Sequence, residues 1–315
     1  MKIIVTHMSP DWDAIGSMWL VRKYIDGWEN AEMRFVPAGE GLGNEKNQEA
    51  RIKLGSQQGG DPIERIGEDE VIHVDTGLGP LDHHQTSDRI VCGMSRTWDY
   101  VRRELEARGK HLTKEHVEAV SRIVKVVVDI DHFGEVFWKD AVADYQEFSL
   151  LGVLEGMKYM RVYQDAYYAE FGFICLNAVL AEFENRIWAE KEIEMGKKFE
   201  TRYGKAIGFE TINDTVLKLA QKMGYVIVVR KDPRKGYVRI KTLPEIPPTP
   251  NNRGGEEKKG ADLTLMYEQL KKIDPDATWF LHVSGKMLLN GTPKNPRMRP
   301  TKLGLDEIIR VLEKI

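Results

Sequence analysis

Histidine and aspartate recur in short stretches in an order that a two-metal phosphoester site needs: His7 with Asp11 and Asp13, then Asp75, then Asp82-His83-His84, then Asp129 and Asp131. Carboxylate and imidazole without thiolate suit Mn²⁺ or Mg²⁺, and Zn²⁺ or Co²⁺ less readily. Two such ions about 4 Å apart can activate water and stabilise charge on a phosphoryl group in flight. Asp11 and Asp13, two apart on one loop, can reach towards neighbouring ions while His7 anchors one of them. The two oxygens of Asp75 can bridge the ions. Asp82, beside two imidazoles, can set a tautomer without binding metal itself. Of the histidine pair, the one not needed for coordination can touch the scissile phosphate. Asp129 or Asp131 would close the set.

These residues need elements that bring them together. Lys2–Thr6 reads as a buried parallel strand ahead of His7, and Glu70–Val74 as another ahead of Asp75. Ligands at the carboxyl ends of parallel strands converge on the crevice where open α/β sheets bind ligands. A helix is expected from Ala14 to Tyr24, a strand over Met33–Val36, a mobile loop over Gly39–Gly60 and a sharp turn over Thr76–Pro80. Ser95 is expected to cap a helix reaching Arg108. Thr113 should cap another, with Val117, Val120, Ile123, Val124 and Val127 on one face. His73 reads as structural, and His111 and His116 as solvent-facing; His132, beside Asp131, is left open.

From Ala141 to about Arg202 the chain is helical in character. Its aromatics (Tyr145, Phe148, Tyr159, Tyr163, Tyr167, Tyr168, Phe171 and Phe173) read as core rather than as a base-stacking surface. Further on, Tyr225–Arg230 and Gly236–Lys241 suggest a hairpin, Pro244–Lys259 a loop, Ala261–Ile273 a helix, Thr278–Val283 a strand and Leu305–Lys314 a closing helix. The expected class is α/β: a mostly parallel Rossmann-like N-terminal domain over 1–140, a helical connector over 141–207, and a smaller α+β substrate domain over 208–315. No internal repeat is visible.

The 315 residues suffice for two cores. Two cysteines cannot build a disulfide framework, so a reducing cytoplasmic setting is expected. Neither a leader nor a membrane span of about 18 apolar residues is expected. The net charge of −3 hides an asymmetry. Residues 201–315 hold 22 Lys+Arg against 13 Asp+Glu, so of the chain's 46 and 49 the first 200 residues hold 24 and 36. An acidic half suits divalent cations, and a basic half suits polyanionic substrates. Between Lys286 and Lys302 the stretch carries Lys286, Lys294, Arg297, Arg299 and Lys302 among prolines, and reads as a stiff phosphate clamp. His282, Ser284 and Gly285 can add donors near a terminal nucleotide.

Thr6-His7-Met8-Ser9-Pro10-Asp11-Trp12-Asp13-Ala14-Ile15-Gly16-Ser17, Val74-Asp75-Thr76-Gly77 and Asp82-His83-His84 resemble motifs I to III of the DHH phosphoesterase superfamily. That group includes RecJ-type exonucleases, oligoribonucleases, cyclic-dinucleotide phosphodiesterases, exopolyphosphatase and family II pyrophosphatase. The resemblance covers residues 1 to about 135. It implies His7, Asp11 and Asp75 on one metal, and Asp13, Asp75, His83 and a motif-IV aspartate on the other, with His84 facing substrate. The family's Asp-Thr pair of motif IV is absent, and Asp129 and Asp131 are both candidates. Leu81-Asp82-His83-His84-Gln85 also resembles the melanocyte-proliferating-gene family of RNA exonucleases, and Phe280–Lys286 is similar to that family's C-terminal His-x-x-Gly segment. Gly254-Gly255 is a second candidate for a substrate-domain glycine motif.

The expected function is hydrolysis of phosphodiester bonds in short RNA or nucleotides with two Mn²⁺ ions, Mg²⁺ being possible. His84 and Asp82 would be catalytic, and the basic C-terminal part would bind the substrate. Pyrophosphate or polyphosphate hydrolysis is the enzyme alternative, ranked lower because the Ser-Arg-Lys-Lys cluster of family II pyrophosphatases is missing. A metal-containing nucleotide- or RNA-binding module is the non-enzyme alternative. No membrane partner is expected, and a homodimer is left open.

Overall fold

The computed structural model describes residues 1–55, 60–162, 164–244, 261–292 and 295–314. Tyr163, most of the expected 244–259 loop with Gly254-Gly255, and Pro293 and Lys294 lie outside the described residues. The chain is α/β with two mixed sheets, divided into compact units Met1–Glu184 and Asn185–Ile315. Among the described residues no helix is long and apolar enough to cross a membrane. Cys92 and Cys175 are free thiols.

The first unit runs β1 (Lys2–His7), α1 (Trp12–Tyr24), β2 (Glu32–Val36), α2 (Glu45–Gly55), β3 (Ile63–Ile66), β4 (Asp69–His73), α3 (Gly93–Ala107), α4 (Lys114–Asp131), α5 (Leu150–Met160) and α6 (Asp165–Met195), the last crossing the unit boundary. Strand order is β2-β1-β4-β3. β1 pairs parallel with β2 and β4, and β3 pairs antiparallel with β4. An unbroken apolar run is what a strand buried on both faces requires, and Ile3, Ile4 and Val5 are all buried.

α1 is buried from Trp12 to Val21, so it is a central helix rather than an amphipathic one. Asp11 starts it by accepting from the amides of Asp13 and Ala14, each at 3.0 Å. Gly16 lets α3 approach, since a Cβ there would lie 2.4 Å from Met94 Sδ. α4 begins where expected, with the Thr113 hydroxyl accepting from His116 N.

Several expectations change. The Gly39–Gly60 stretch contains helix α2, which the Gly and Asn residues around it obscured. α3 starts at Gly93, and Ser95 is its third residue, its hydroxyl turning back to donate to Cys92 O. His116 is not solvent-facing: its ring lies 2.6 Å from Glu184 and 2.7 Å from the Tyr24 hydroxyl. Tyr145, Phe148, Tyr159 and Tyr167 are exposed rather than core: Tyr145 lies in one of two short 3₁₀ turns formed over 134–146, and Tyr159 and Tyr167 are on helices α5 and α6, whereas Tyr168 and Phe173 are buried.

The second unit contains β5 (Lys197–Thr201), β6 (Gly204–Glu210), α7 (Thr215–Lys222), β7 (Ile227–Lys231), β8 (Val238–Thr242), α8 (Thr264–Ile273), β9 (Trp279–Leu281), β10 (Met287–Asn290) and α9 (Leu305–Leu312). Its sheet order is β5-β6-β7-β8-β10-β9, with only β6 and β7 parallel. The β7–β8 hairpin, α8, β9 and α9 match the expected elements. β5 falls in the stretch expected to be helical and β6 spans its end, while β10 falls inside the expected basic loop. β5 and β6 form a tight hairpin, and β10 is held between β8 and β9.

A buried ion pair ties the first unit's loops to β4. Arg51, only 1% exposed, donates to Glu64 at 2.6 and 3.2 Å and to Leu42 O at 2.6 Å. His73 accepts from Leu42 N at Nε2, so its Nδ1 carries the proton that is donated to Glu64. Burial pushes the His73 ring below its usual range, in keeping with this neutral, structural state. Replacing one partner strands a buried charge. Arg51→Met is expected to cost about 3–5 kcal/mol, read from urea unfolding, and Arg51→Met/Glu64→Leu should recover much of that loss.

Candidate metal centre

The parallel pairing of β1 and β4 creates the site. Val74 N donates to Val5 O at 2.9 Å, extending the ladder until His7 and Asp75 lie side by side at the strand ends. Asp75 then takes a left-handed backbone, φ 51°, followed by Gly77 at 76° and Leu78 at 59°. Aspartate tolerates that region better than most residues, and such outliers cluster at functional sites. The turn brings Asp82 and both histidines back over Asp75.

His7 Nδ1 lies 2.9 Å from the Met8 carbonyl, so it is the protonated nitrogen and Nε2 has the free lone pair. That Nε2 lies 3.2 Å from Asp75 Oδ2 and 3.9 Å from Asp11 Oδ2. Asp11 thus divides its work: Oδ1 caps α1 and Oδ2 faces the site. On the other side, His83 Nε2 lies 3.5 Å from Asp75 Oδ1, 3.5 Å from Asp131 Oδ2 and 3.7 Å from Asp13 Oδ2.

Three of these atoms, Asp75 Oδ1, His83 Nε2 and Asp131 Oδ2, are buried without a hydrogen-bond partner. Such groups are costly unless something satisfies them. Two are carboxylate oxygens, and both lie 3.5 Å from the third, a ring nitrogen of His83. Donor atoms about 2.0–2.2 Å from a shared cation are themselves about 3–3.5 Å apart, close to the separations seen. Atoms of His7, Asp11 and Asp75, of Asp75, His83 and His84, and of His83, Asp131 and His132 each lie within 4.8 Å of one another. The donor set fits two hard divalent cations that share Asp75.

Electrostatics favour the same occupant. Burial, then Asp11, raises the Asp75 carboxyl far above the usual carboxylate range. Burial, then Asp75, does the same to Asp13. Asp131 is pushed up to about 6 by burial and Asp11. His83 is pushed down to about 4 by burial and His84, leaving a neutral ring able to coordinate. Without positive charge these carboxyls can stay together only by taking up protons.

His84 is set apart from this group. Its Nδ1 donates to Asp82 Oδ1 at 2.7 Å, turning Nε2 outward from a half-exposed ring. Asp82 is fully buried and also accepts from the amides of Leu78 and His84. Burial alone would raise Asp82, but these hydrogen bonds hold it below its usual range. Its carboxylate in turn raises His84, so the ring keeps its proton to higher pH.

Of the two motif-IV candidates, the structure brings Asp131 to the site. Asp129 is exposed and accepts from Trp138 Nε1. Asp13 differs from expectation in its surroundings. Its oxygens accept from Gly93 N at 2.6 Å and Met94 N at 2.5 Å, capping α3 from another helix while Oδ2 still faces His83. Gly93 was missed by sequence reading. A Cβ there would lie 2.9 Å from both Asp13 Oδ2 and Asp75 Cβ, so this glycine is what lets α3 close on the site.

The seven expected substrate residues all lie in the second unit. His282, Ser284, Gly285 and Lys286 form the turn joining β9 to β10, with His282 Nδ1 2.8 Å from the Ser284 hydroxyl. Lys286 Nζ points to Ala261 O at 3.5 Å, and Gly285 supplies the turn's positive φ of 66°. Arg297, Arg299 and Lys302 are exposed on a separate loop, where Arg299 N donates to the Thr278 hydroxyl and Lys302 N to Asp274. The described part of that stretch is thus divided between the β9–β10 turn and the loop that follows β10. In comparisons with known proteins, no family model matches the chain and no curated protein matches it.

The metal-free protein is expected to bind Mn²⁺, with affinity climbing as the pH rises through about 6, where the Asp131 proton must leave. Titration calorimetry at a series of pH values checks this. Asp131→Asn should weaken Mn²⁺ binding by about tenfold or more, whereas Asp129→Asn should leave it unchanged.

Proposed function

We propose that the chain is a metal-dependent phosphohydrolase of DHH type that cleaves phosphodiester bonds of short RNA or nucleotides. The observation that supports it most is the set of buried, unpartnered polar atoms on Asp75, His83 and Asp131. The wider reading includes a Rossmann-like metal-binding domain, a helical connector and a basic substrate domain, acting in the cytoplasm.

Two bound divalent cations would lower the pKa of water and neutralise charge developing on the phosphoryl group. His7, Asp11 and Asp75 would hold one, and Asp75, His83, Asp131 and Asp13 the other. His84 then has a separate part. The Asp82 hydrogen bond favours the protonated ring, in which the outward Nε2 can donate to a phosphoryl or leaving oxygen. Asp82 fixes the ring's orientation and tautomer, and the Leu78 amide fixes Asp82 in turn.

A panel of short RNA, short DNA, cyclic dinucleotides, phosphate monoesters and pyrophosphate with Mn²⁺ tests the class of substrate. Mononucleotide release from short RNA is the expected outcome; phosphate release from pyrophosphate alone would replace this reading with the pyrophosphatase one. Asp75→Ala should lose Mn²⁺ binding and turnover together. His84→Ala should keep Mn²⁺ binding and lose about 10²–10⁴-fold in kcat. An Asp75→Ala protein that folds and hydrolyses at the parent rate would refute the assignment.

A further inference from the structure

The six-stranded sheet of the second unit is covered unequally. On one face α8 and α9 pack over Ile227, Val229, Val238, Ile240 and Leu288. On the other, α7 and the end of α6 cover β6 and β7 through Ile207, Phe209 and Val228. Strand register determines what the remainder of that second face carries, because directly paired residues project to the same side. One row runs Phe209, Arg230, Arg239, Leu289, Phe280. The next runs Ile207, Val228, Lys241, Met287, and His282 N donates to Met287 O at its end. Beyond α7, the face therefore offers Arg239 and Lys241 beside Leu289, Met287 and Phe280, which is 50% exposed.

The first of these rows concentrates positive charge. Arg230 and Arg239 are direct cross-strand partners, and like charges so placed are destabilising. One carboxylate serves both: Asp214 lies 2.7 Å from Arg230 Nε and also pairs with Arg239. Lys241 stands beside them with no carboxylate partner among the described residues. Burial, then Arg239 and Lys218 of α7, push its ammonium below the usual range. An apolar partner would desolvate these cations without compensation. A chain of phosphates would neutralise them, and a base could stack on the flat ring in the same row.

We propose that this face is a platform for a single-stranded oligonucleotide, with phosphates on Arg239 and Lys241 and a base against Phe280. The choice of nucleic acid rests on the phosphodiesterase reading above; the surplus of positive charge does not. It differs from the 286–302 clamp, since both cations come from β8.

The test is fluorescence anisotropy of a labelled seven-nucleotide RNA with full-length protein in EDTA, between 50 and 200 mM salt. The parent protein should bind with a clear salt dependence. Arg239→Gln/Lys241→Gln should bind more weakly, with the log–log salt slope shallower by about 1.4, the equivalent of two single-strand phosphate contacts. Lys241→Gln alone, in case the double variant fails to fold, should lower the slope by about half that. Phe280→Ala should lose about fivefold to a hundredfold in affinity with its slope unchanged. Lys110→Gln, an exposed charge paired with Asp26 in the first unit, is the control and should match the parent. No binding by the parent, an unchanged slope in Lys241→Gln, or an equal loss in Lys110→Gln would overturn the platform. Mn²⁺-dependent hydrolysis of bis(p-nitrophenyl) phosphate by the parent separates the two readings: if it is absent while the binding pattern holds, the hydrolase reading fails and the platform stands.

Discussion

Repulsion among crowded carboxylates is the constraint around which the first unit is organised. Asp11, Asp13, Asp75 and Asp131 crowd one pocket in which His83 is held neutral. Among the described residues no lysine or arginine is hydrogen-bonded to Asp75 or Asp131, and both carry an acceptor without a partner. Such a group keeps its place because the backbone does not let it separate. β1 and β4 are parallel and adjacent, α1 is anchored by Asp11, and α3 is anchored by Asp13. Each anchor uses a carboxylate that also faces the pocket. These side chains are therefore held in position by the helices they cap.

Much of this centre was legible in the chain, because its residues sit at the ends of strands with unmistakable apolar runs. The choice between Asp129 and Asp131 was left open in the sequence reading, although helical phase carries the signal that separates them. Two residues apart on a helix differ by about 200°, so only one can face inward. Asp131 continues the stripe of Val120, Val124 and Val127, which are buried, whereas Asp129 falls off it. Gly93 carried no local signal. Its value lies in the space it leaves for Asp13, eighty positions earlier, and such proximity emerges only once α1 and α3 have packed.

The second unit was harder to read for a related reason. β5 and β6 form a tight hairpin inside a stretch of helical character, and β10 joins β8 across a long stretch of chain. The cationic row could not be anticipated from composition. Arg230, Arg239 and Phe280 become neighbours only through the register of β7, β8, β10 and β9. The sequence pointed instead to the dense charges of 286–302, where Lys286 turns towards Ala261 and the others sit on a different loop.

The left-handed backbone of Asp75 also limits which side chains evolution can try at this position. Its φ of 51° suits glycine, asparagine and aspartate far better than longer residues. Glutamate would preserve the charge and add reach, yet it is disfavoured by its main chain before its carboxylate is ever placed. Among the three permitted types only aspartate is anionic, so the torsion angle by itself selects the shorter acid.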